Sequence, residues 1–388
     1  MQLLYLFGFF LALLSSLVLM PLLMKYASQL GLIDNPIGSA RKLHKAPMPR
    51  SGGLGIIIPT AIAILVVLPW SDFVLSFLVS SLVIVGFGLL DDIIELKPIQ
   101  KLIGQTLGVT LAMVGGMVIS DVPFIDNAPA WISYALTYVF VMAVINGVNF
   151  SDGMDGLAAG TTLMALVLIF LLAREGSVIH VAIIAAIISA ALVGFLHFNT
   201  HPATIFMGDA GSQFLGFSVA WLAIAVGEAE TLTLTSVMPL LILGIPIMDV
   251  LQVICVRIKK KLPLPGPDKE HLHHQIGKLG LPQAGVVATM YMLQLILLSG
   301  AFLMRQDSDA TALGFYISYL VVVLGVLYAG HAQGWRMTGA NTFGGVNRRN
   351  GIFRRISFLH PYSGKFFGVV TAALLCLFAV MSTEMPKG

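Results

Sequence analysis

The sequence predicts an all-α, polytopic integral membrane protein of about 11–12 transmembrane helices, with its N-terminus outside and its polar chemistry on the cytosolic face. Three observations predict it. Hydrophobic residues fill 57% of the 388 positions and charged residues only 11%, against roughly 25% charged in an ordinary soluble domain. Apolar runs long enough for the roughly 20 helical residues that cross a bilayer core recur along the whole chain. Finally, 19 of the 22 lysines and arginines fall on alternate connections between those runs, as the positive-inside rule requires. The lipid bilayer is therefore an expected partner, and nucleic acid is not.

Taken in order, the first run, 3–23, has no positive segment before it and Lys25 after it, so it reads as a retained span rather than a cleaved signal. Further runs lie near 53–70, 73–90, 102–120, 130–148, 157–173, 178–198, 212–227, 236–256, 284–304, 311–330 and 366–383. With the N-terminus outside, the segments 24–52, 91–101, 149–156, 199–211, 257–283 and 331–365 are cytosolic, and only Arg174, Arg305 and Lys387 are left for the other face. Trp70 and Trp131 fall at outer span ends, where an aromatic belt would have them. Cys255 and Cys376 lie within or at the edge of runs, so no disulfide framework is implied.

The first cytosolic segment holds Asp34 and then Arg41, His44 and Arg50 ahead of the pair Gly52-Gly53. Cations beside a flexible loop and a helix start suit phosphate groups, while simple topology charge or contact with anionic headgroups is the plainer reading. The third run ends in Asp91-Asp92, and Glu95, Lys97 and Lys101 after it read as solvated boundary residues.

The connection around 146–156 reads Asn146-Gly-Val-Asn149-Phe-Ser-Asp152-Gly-Met-Asp155-Gly. Glycines let backbone turn tightly and approach a ligand, and the acids and amides offer oxygens suited to a hard cation such as Mg²⁺. The connection before the eighth run places Asn199, Phe206, the glycine-flanked Asp209 and the hydroxyl of Ser212 at its mouth, with His197 and His201 read as interfacial structural residues. Segments 149–156 and 199–211 carry no Lys or Arg, so they are not topology signals. Together Asp91, Asp92, Asp152, Asp155 and Asp209 gather at one membrane edge from three loops. Two unit charges 4 Å apart repel by about 4 kcal/mol at an effective dielectric near 20, so such a cluster wants a cation or a shared proton.

Asp249 lies inside the ninth run, where an ionisable group is expensive and by default functional, unless it is paired locally. In the segment 257–283, His271, His273 and His274 could bind metal, handle protons or hydrogen-bond a diphosphate. Zinc is the weaker choice, because no cysteine lies nearby and the aspartates favour Mg²⁺.

The stretches Asn146-x-x-Asn149-x-x-Asp152-Gly-x-Asp155-Gly-Leu, Phe206-Met-Gly-Asp209-x-Gly-Ser212, Asp91-Asp92 and Pro267-Asp-x-x-His271-x-His273-His274 together resemble the polyprenyl-phosphate N-acetylhexosamine-1-phosphate transferases, the glycosyltransferase 4 family. The His-x-His-His form resembles the WecA-like branch, whose members act on undecaprenyl phosphate with an alpha-N-acetylglucosaminyl 1-phosphate donor. The resemblance implies a Mg²⁺-dependent transfer (Mn²⁺ substituting) of a sugar-1-phosphate from a UDP-sugar to undecaprenyl phosphate. That step primes O-antigen or related envelope polysaccharides at the bacterial inner membrane, and UMP is released.

By the same resemblance Asp209 is the metal ligand, Asp91 and Asp92 act on the lipid phosphate, and Asn149, Asp152 and Asp155 line the nucleotide-sugar site. Phe206 stacks on uracil. His271, His273 and His274, with Arg41, His44 and Arg50, hold diphosphate and sugar. Asn146, Asn199, Ser212 and Asp249 join the substrate-binding set.

Other readings stay open. They are the peptidoglycan enzyme phospho-N-acetylmuramoyl-pentapeptide transferase, which more often carries three consecutive histidines, and a flippase for a lipid-linked sugar. A flippase would place ionisable groups near the midplane; a CDP-alcohol phosphotransferase would continue the Asp152 motif differently. A homodimer is compatible with any of them. The transferase domain is read as 1–330, and 331–388 as a basic loop with Arg348-Arg349 and Arg354-Arg355 plus an additional span.

Overall fold

The computed structural model describes residues 2–34, 47–125, 127–261 and 270–335. Arg41, His44, the run 366–383 and nearly all of 331–388 lie outside the described residues, as does the start of the Pro267 motif. The described chain is helical apart from one short ribbon, in which β1 (Ile33–Asp34) pairs antiparallel with β2 (Met48–Pro49).

Among the described residues eight helices are long and apolar enough to cross a bilayer: α1 (Gln2–Tyr26), α3 (Asp72–Ile94), α5 (Ala130–Ser151), α6 (Leu157–Glu175), α7 (Ile179–Asn199), α8 (Gly208–Gly227), α12 (Gln283–Leu303) and α13 (Asp309–Ala332). Between them lie the shorter α2 (Leu54–Val67), α4 (Pro98–Val114), α9 (Met238–Ile242), α10 (Gly244–Lys260) and α11 (Leu272–Lys278). The chain is thus an all-α, multi-pass membrane protein.

Three elements depart from the runs read in the sequence, each for a local reason. α4 begins at Pro98 rather than 102, because proline has no N–H to waste in a first turn; Lys101 is thereby drawn into a helix. α8 begins at Gly208, so Asp209 sits in its first turn. The run 236–256 is two helices. In an unbroken helix the ring of Pro246 would collide with the Ile242 carbonyl, and the chain breaks at Leu243 instead. The freed Ile242 carbonyl accepts from Gln294 Nε2 at 3.3 Å, and at the start of α10 the Tyr316 hydroxyl donates to Gly244 O at 2.9 Å.

Packing sorts the helices by how much lipid they meet. α7 and α8 are enclosed by protein, with Trp221, Phe77 and Phe217 forming an aromatic core between α3 and α8. α1 and α13 leave Leu14, Val18, Val321 and Val322 exposed, which explains the apolar composition, since lipid is the solvent for those faces. α3 meets α8 at Gly88, where a Cβ would lie 2.6 Å from Ala210 Cα. That contact is backbone to backbone, so no larger residue fits.

The two ends of the bundle differ. At one end the turns are stitched by carboxylates: Glu228 accepts from Ser120 N at 3.0 Å, Asp309 accepts from Thr235 Oγ1 at 2.6 Å and Ser236 N at 3.0 Å, and Glu175 pairs with Arg305 at 3.4 Å. At the other end, β1, β2, the C-termini of α3, α5 and α7, the N-termini of α8 and α12, and α11 surround a cavity of about 880 Å³. This is the end that carries the lysine- and arginine-rich segments.

Candidate active site

The cavity is assembled by short-range folding of each connection. β2 continues into contacts with the segment before α8: Phe206 N donates to Pro49 O at 2.7 Å, Gly52 N to Phe206 O at 3.0 Å, and Gly53 N to Met207 O at 2.7 Å. These bonds seat Phe206 and Arg50 on one wall. Asn199, buried at the end of α7, spends both halves of its carboxamide on backbone, accepting from Gly156 N at 2.9 Å and donating to Ile205 O at 2.8 Å. It staples the 152–156 turn to the 200–206 segment. Asp155 reinforces the same junction, accepting from His201 Nδ1 at 2.7 Å and Ala203 N at 3.1 Å.

Asp92 and Asp209 share a single construction. Gly208 takes a left-handed φ of +77° and starts α8 beside the Asp92 carboxylate, which accepts from Asp209 N at 2.8 Å and Ala210 N at 3.0 Å. Asp92 therefore caps a helix whose first turn has unpaired N–H groups. Asp209 projects from that turn, and its Oδ1 accepts from Asn149 Nδ2 at 2.7 Å and meets Lys101 Nζ at 3.3 Å. Lys101 also pairs with Asp91, whose other oxygen accepts from Leu96 N at 2.7 Å.

The structure brings Arg50, Asp92, Asn149, Asp152, Asp155, Asn199, Phe206, Asp209, Ser212 and His274 onto one cavity wall, together with Asp34. Asp91 stands behind it, reaching Asp209 through Lys101. Asn146 lies deeper, bonded to Gln105. His271, His273 and Asp249 form the support beneath His274. Buried Asp249 accepts from His271 Nδ1 at 2.7 Å and Leu272 N at 2.5 Å, and the His271 ring lies 4.6 Å from that of Phe150. An acid placed inside the ninth run thus holds the start of α11. Five contributors escaped the sequence reading. Lys101 looked like a solvated boundary residue and His201 like an interfacial one, while nothing in the sequence marked Lys278, Gln105 or Gln213. Only Pro98, a helix-start signal before Lys101, could have flagged one.

Electrostatics separates the members. Burial, reinforced by Asp209 and Asp92 and opposed by Arg50, pushes the Asp152 carboxyl well above its usual range. Lys260 and Lys278 hold Glu270 down to about 2 against its partial burial. His273 is buried, its Nε2 finds no hydrogen-bond partner among the described residues, and burial with His274 nearby lowers it to about 3. His273 is therefore neutral at physiological pH.

Protonating His273 is favoured in the unfolded chain between its ordinary 6.5 and the folded value near 3. Its stabilising contribution is complete above that window and fades as pH falls through it, by about 2 kcal/mol at pH 5. Asp152, raised rather than lowered, has the opposite slope. Thermal unfolding in detergent should show wild type losing more stability than His273→Gln between pH 7.5 and 5.5; parallel curves would refute the assignment.

Among the described residues no three His, Cys, Asp or Glu side chains form a ready-made metal cage. Mg²⁺ seldom uses one, taking one or two carboxylates together with waters and substrate phosphates. Asp209 and Asp152 offer that oxygen set, and Lys101 already lies on Asp209 Oδ1 as a cation would. The oxygen donors suit Mg²⁺ better than zinc, whose structural sites are dominated by cysteine sulfur and histidine nitrogen.

Residues 74–227 match the profile of glycosyl transferase family 4. A Bacillus subtilis (strain 168) protein named as a probable undecaprenyl-phosphate N-acetylglucosaminyl 1-phosphate transferase is 34% identical over 323 residues, covering 81% of this chain and 88% of the relative. A decaprenyl-phosphate N-acetylglucosaminephosphotransferase of Mycobacterium tuberculosis is 31% identical over 344 residues, covering 77% and 82%. The undecaprenyl-phosphate alpha-N-acetylglucosaminyl 1-phosphate transferase of Escherichia coli K12 is 28% identical over 277 residues, covering 69% and 75%.

Proposed function

The chain belongs to glycosyl transferase family 4, and from that premise we propose that it transfers N-acetylglucosamine-1-phosphate from UDP-N-acetylglucosamine to undecaprenyl phosphate. An oxygen of the lipid phosphate attacks the β-phosphorus of the UDP-sugar, the bond from that phosphorus to the bridging oxygen breaks, and UMP leaves. The products are a lipid diphosphate-linked sugar and UMP, the starting step of O-antigen, other lipopolysaccharide or related envelope glycans. Neither the muramoyl-pentapeptide branch nor a flippase is favoured by the relatives' names.

The observation that carries this reading is the cavity wall itself, where Asp209 and Asp152 share one lining with Arg50, Lys278 and the Phe206 ring. Mg²⁺, when bound, neutralises phosphate charge and polarises the bond that breaks; Asp209 and Asp152 would hold it. Arg50, held at 3.2 Å by Asp34, and Lys278, held at 3.3 Å by Glu270, supply cations for the diphosphate. Phe206 offers its face to uracil, and His274 donates to the sugar or its phosphate. Asp155 and Asn199 keep the 200–206 segment in place. Asp91 acts through Lys101, holding that ammonium against Asp209. Among the described residues the cavity lining runs from Asp34 to Val286, which supports reading residues 1–330 as the catalytic unit.

Purified protein incubated with undecaprenyl phosphate, Mg²⁺ and a panel of UDP-sugars should form lipid-linked N-acetylglucosamine and UMP, and preference for another sugar would replace the substrate. We place the cavity on the cytosolic side of the bacterial inner membrane, because that end carries the basic segments. A cysteine introduced at Pro265, with Cys255 and Cys376 replaced by serine, should resist an impermeant thiol reagent in intact spheroplasts and react after lysis. Labelling before lysis would invert the topology.

A further inference from the structure

Beneath the charged residues of the site lies a second layer made only of carboxamides. Asn146 Nδ2 donates to Gln105 Oε1 at 3.0 Å, and Gln105 Nε2 donates to Gln213 Oε1 at 3.2 Å. Gln105 and Gln213 are 2% and 1% exposed. The chain of amides therefore links α4, α5 and α8 inside the protein, where a loose amide would be costly.

Its registration with the layer above is regular. Gln105 follows Lys101 by four residues on α4, Gln213 follows Asp209 by four on α8, and Asn146 precedes Asn149 by three on α5. Each pair shares one helix face. Each amide thus lies about one turn, roughly 5.4 Å, below a member of the Lys101–Asp209–Asn149 cluster. The upper layer meets at one atom, Asp209 Oδ1, and the lower layer joins the same three helices.

Apolar contacts between these helices are compatible with small slides, since ridges and grooves repeat along a helix. A directed N–H to carbonyl bond is not: moving one helix by a residue's rise of about 1.5 Å separates donor from acceptor. We propose that Gln105 and Gln213 are positioning residues of the transfer reaction. They fix the height and rotation at which α4, α5 and α8 deliver Lys101, Asn149 and Asp209, and so the aim of the Asp209 carboxylate. The proposal rests on the proposed function only for its activity readout.

The test uses methionine, close in shape to glutamine and apolar. Gln213→Met alone leaves the Gln105 N–H unpaired and should lower both thermal stability and kcat. In Gln105→Met/Gln213→Met the buried pair is apolar on both sides, and the half-buried Asn146, which loses Gln105, keeps its bond to Met142 O at 2.8 Å, so the melting temperature should return to within about 2 °C of wild type. With the register unpinned, kcat should remain at least about tenfold down, while KM for UDP-N-acetylglucosamine stays within about twofold. Recovery of kcat together with stability would reduce the layer to a structural role and overturn the proposal. Gln213→Asn, the mildest change, keeps an amide one methylene too short, and full kcat in that variant would overturn it too. An inactive wild type would instead sink the proposed reaction.

Discussion

Asp209→Asn should abolish transfer, lowering kcat by at least about a thousandfold, while the protein stays folded and inserted. The amide oxygen can still accept from Asn149 Nδ2 and lie near Lys101, so the upper contacts survive. What disappears is the negative charge that a hard cation requires. UDP-sugar affinity should change much less than turnover, and wild-type transfer should stop with EDTA and return with Mg²⁺ or Mn²⁺. Turnover within tenfold of wild type, or transfer that survives complete chelation, would remove Asp209 and the metal from the account.

Asp92→Asn should fail differently, although the two carboxylates touch the same helix start. Both oxygens of Asp92 accept backbone N–H groups, from Asp209 and Ala210. An asparagine has one acceptor and would turn its NH₂ group toward a second donor. Losing a cap and leaving a buried donor unpaired costs about 1–3 kcal/mol, and the first turn of α8 carries Asp209 away with it. The expected signature is a melting temperature lower by several degrees, weaker nucleotide-sugar binding and a large loss of kcat together. A variant with native stability and native UDP-sugar affinity that loses only turnover would show Asp92 to be chemical, acting on the lipid phosphate, rather than a cap.

What could be read from the chain beforehand follows from the range of each interaction. Spans were legible because apolar length is a local property, and the gathering of Asp92, Asp152, Asp155 and Asp209 followed once alternate connections were assigned to one side. Helix ends were less so: hydropathy averages over Pro98 and Gly208, while proline chemistry and a left-handed glycine decide where α4 and α8 start. Partners were not legible at all. Asp92 lies 117 residues from the amide it caps, Lys101 108 residues from Asp209, and Gln105 41 from Asn146. Spacing along the chain carries no trace of such pairings, so Lys101 passed for a solvated cation and Asn199 for a ligand rather than a staple.

The stitched end of the bundle has a consequence for vectorial chemistry. Glu228, Asp309 and Glu175 lock the turns opposite the cavity, and the residues lining that cavity all come from the other end. On the proposed reaction, donor, acceptor and both products enter and leave by that one face. On the same reading the lipid-linked sugar is released in the leaflet from which its carrier came.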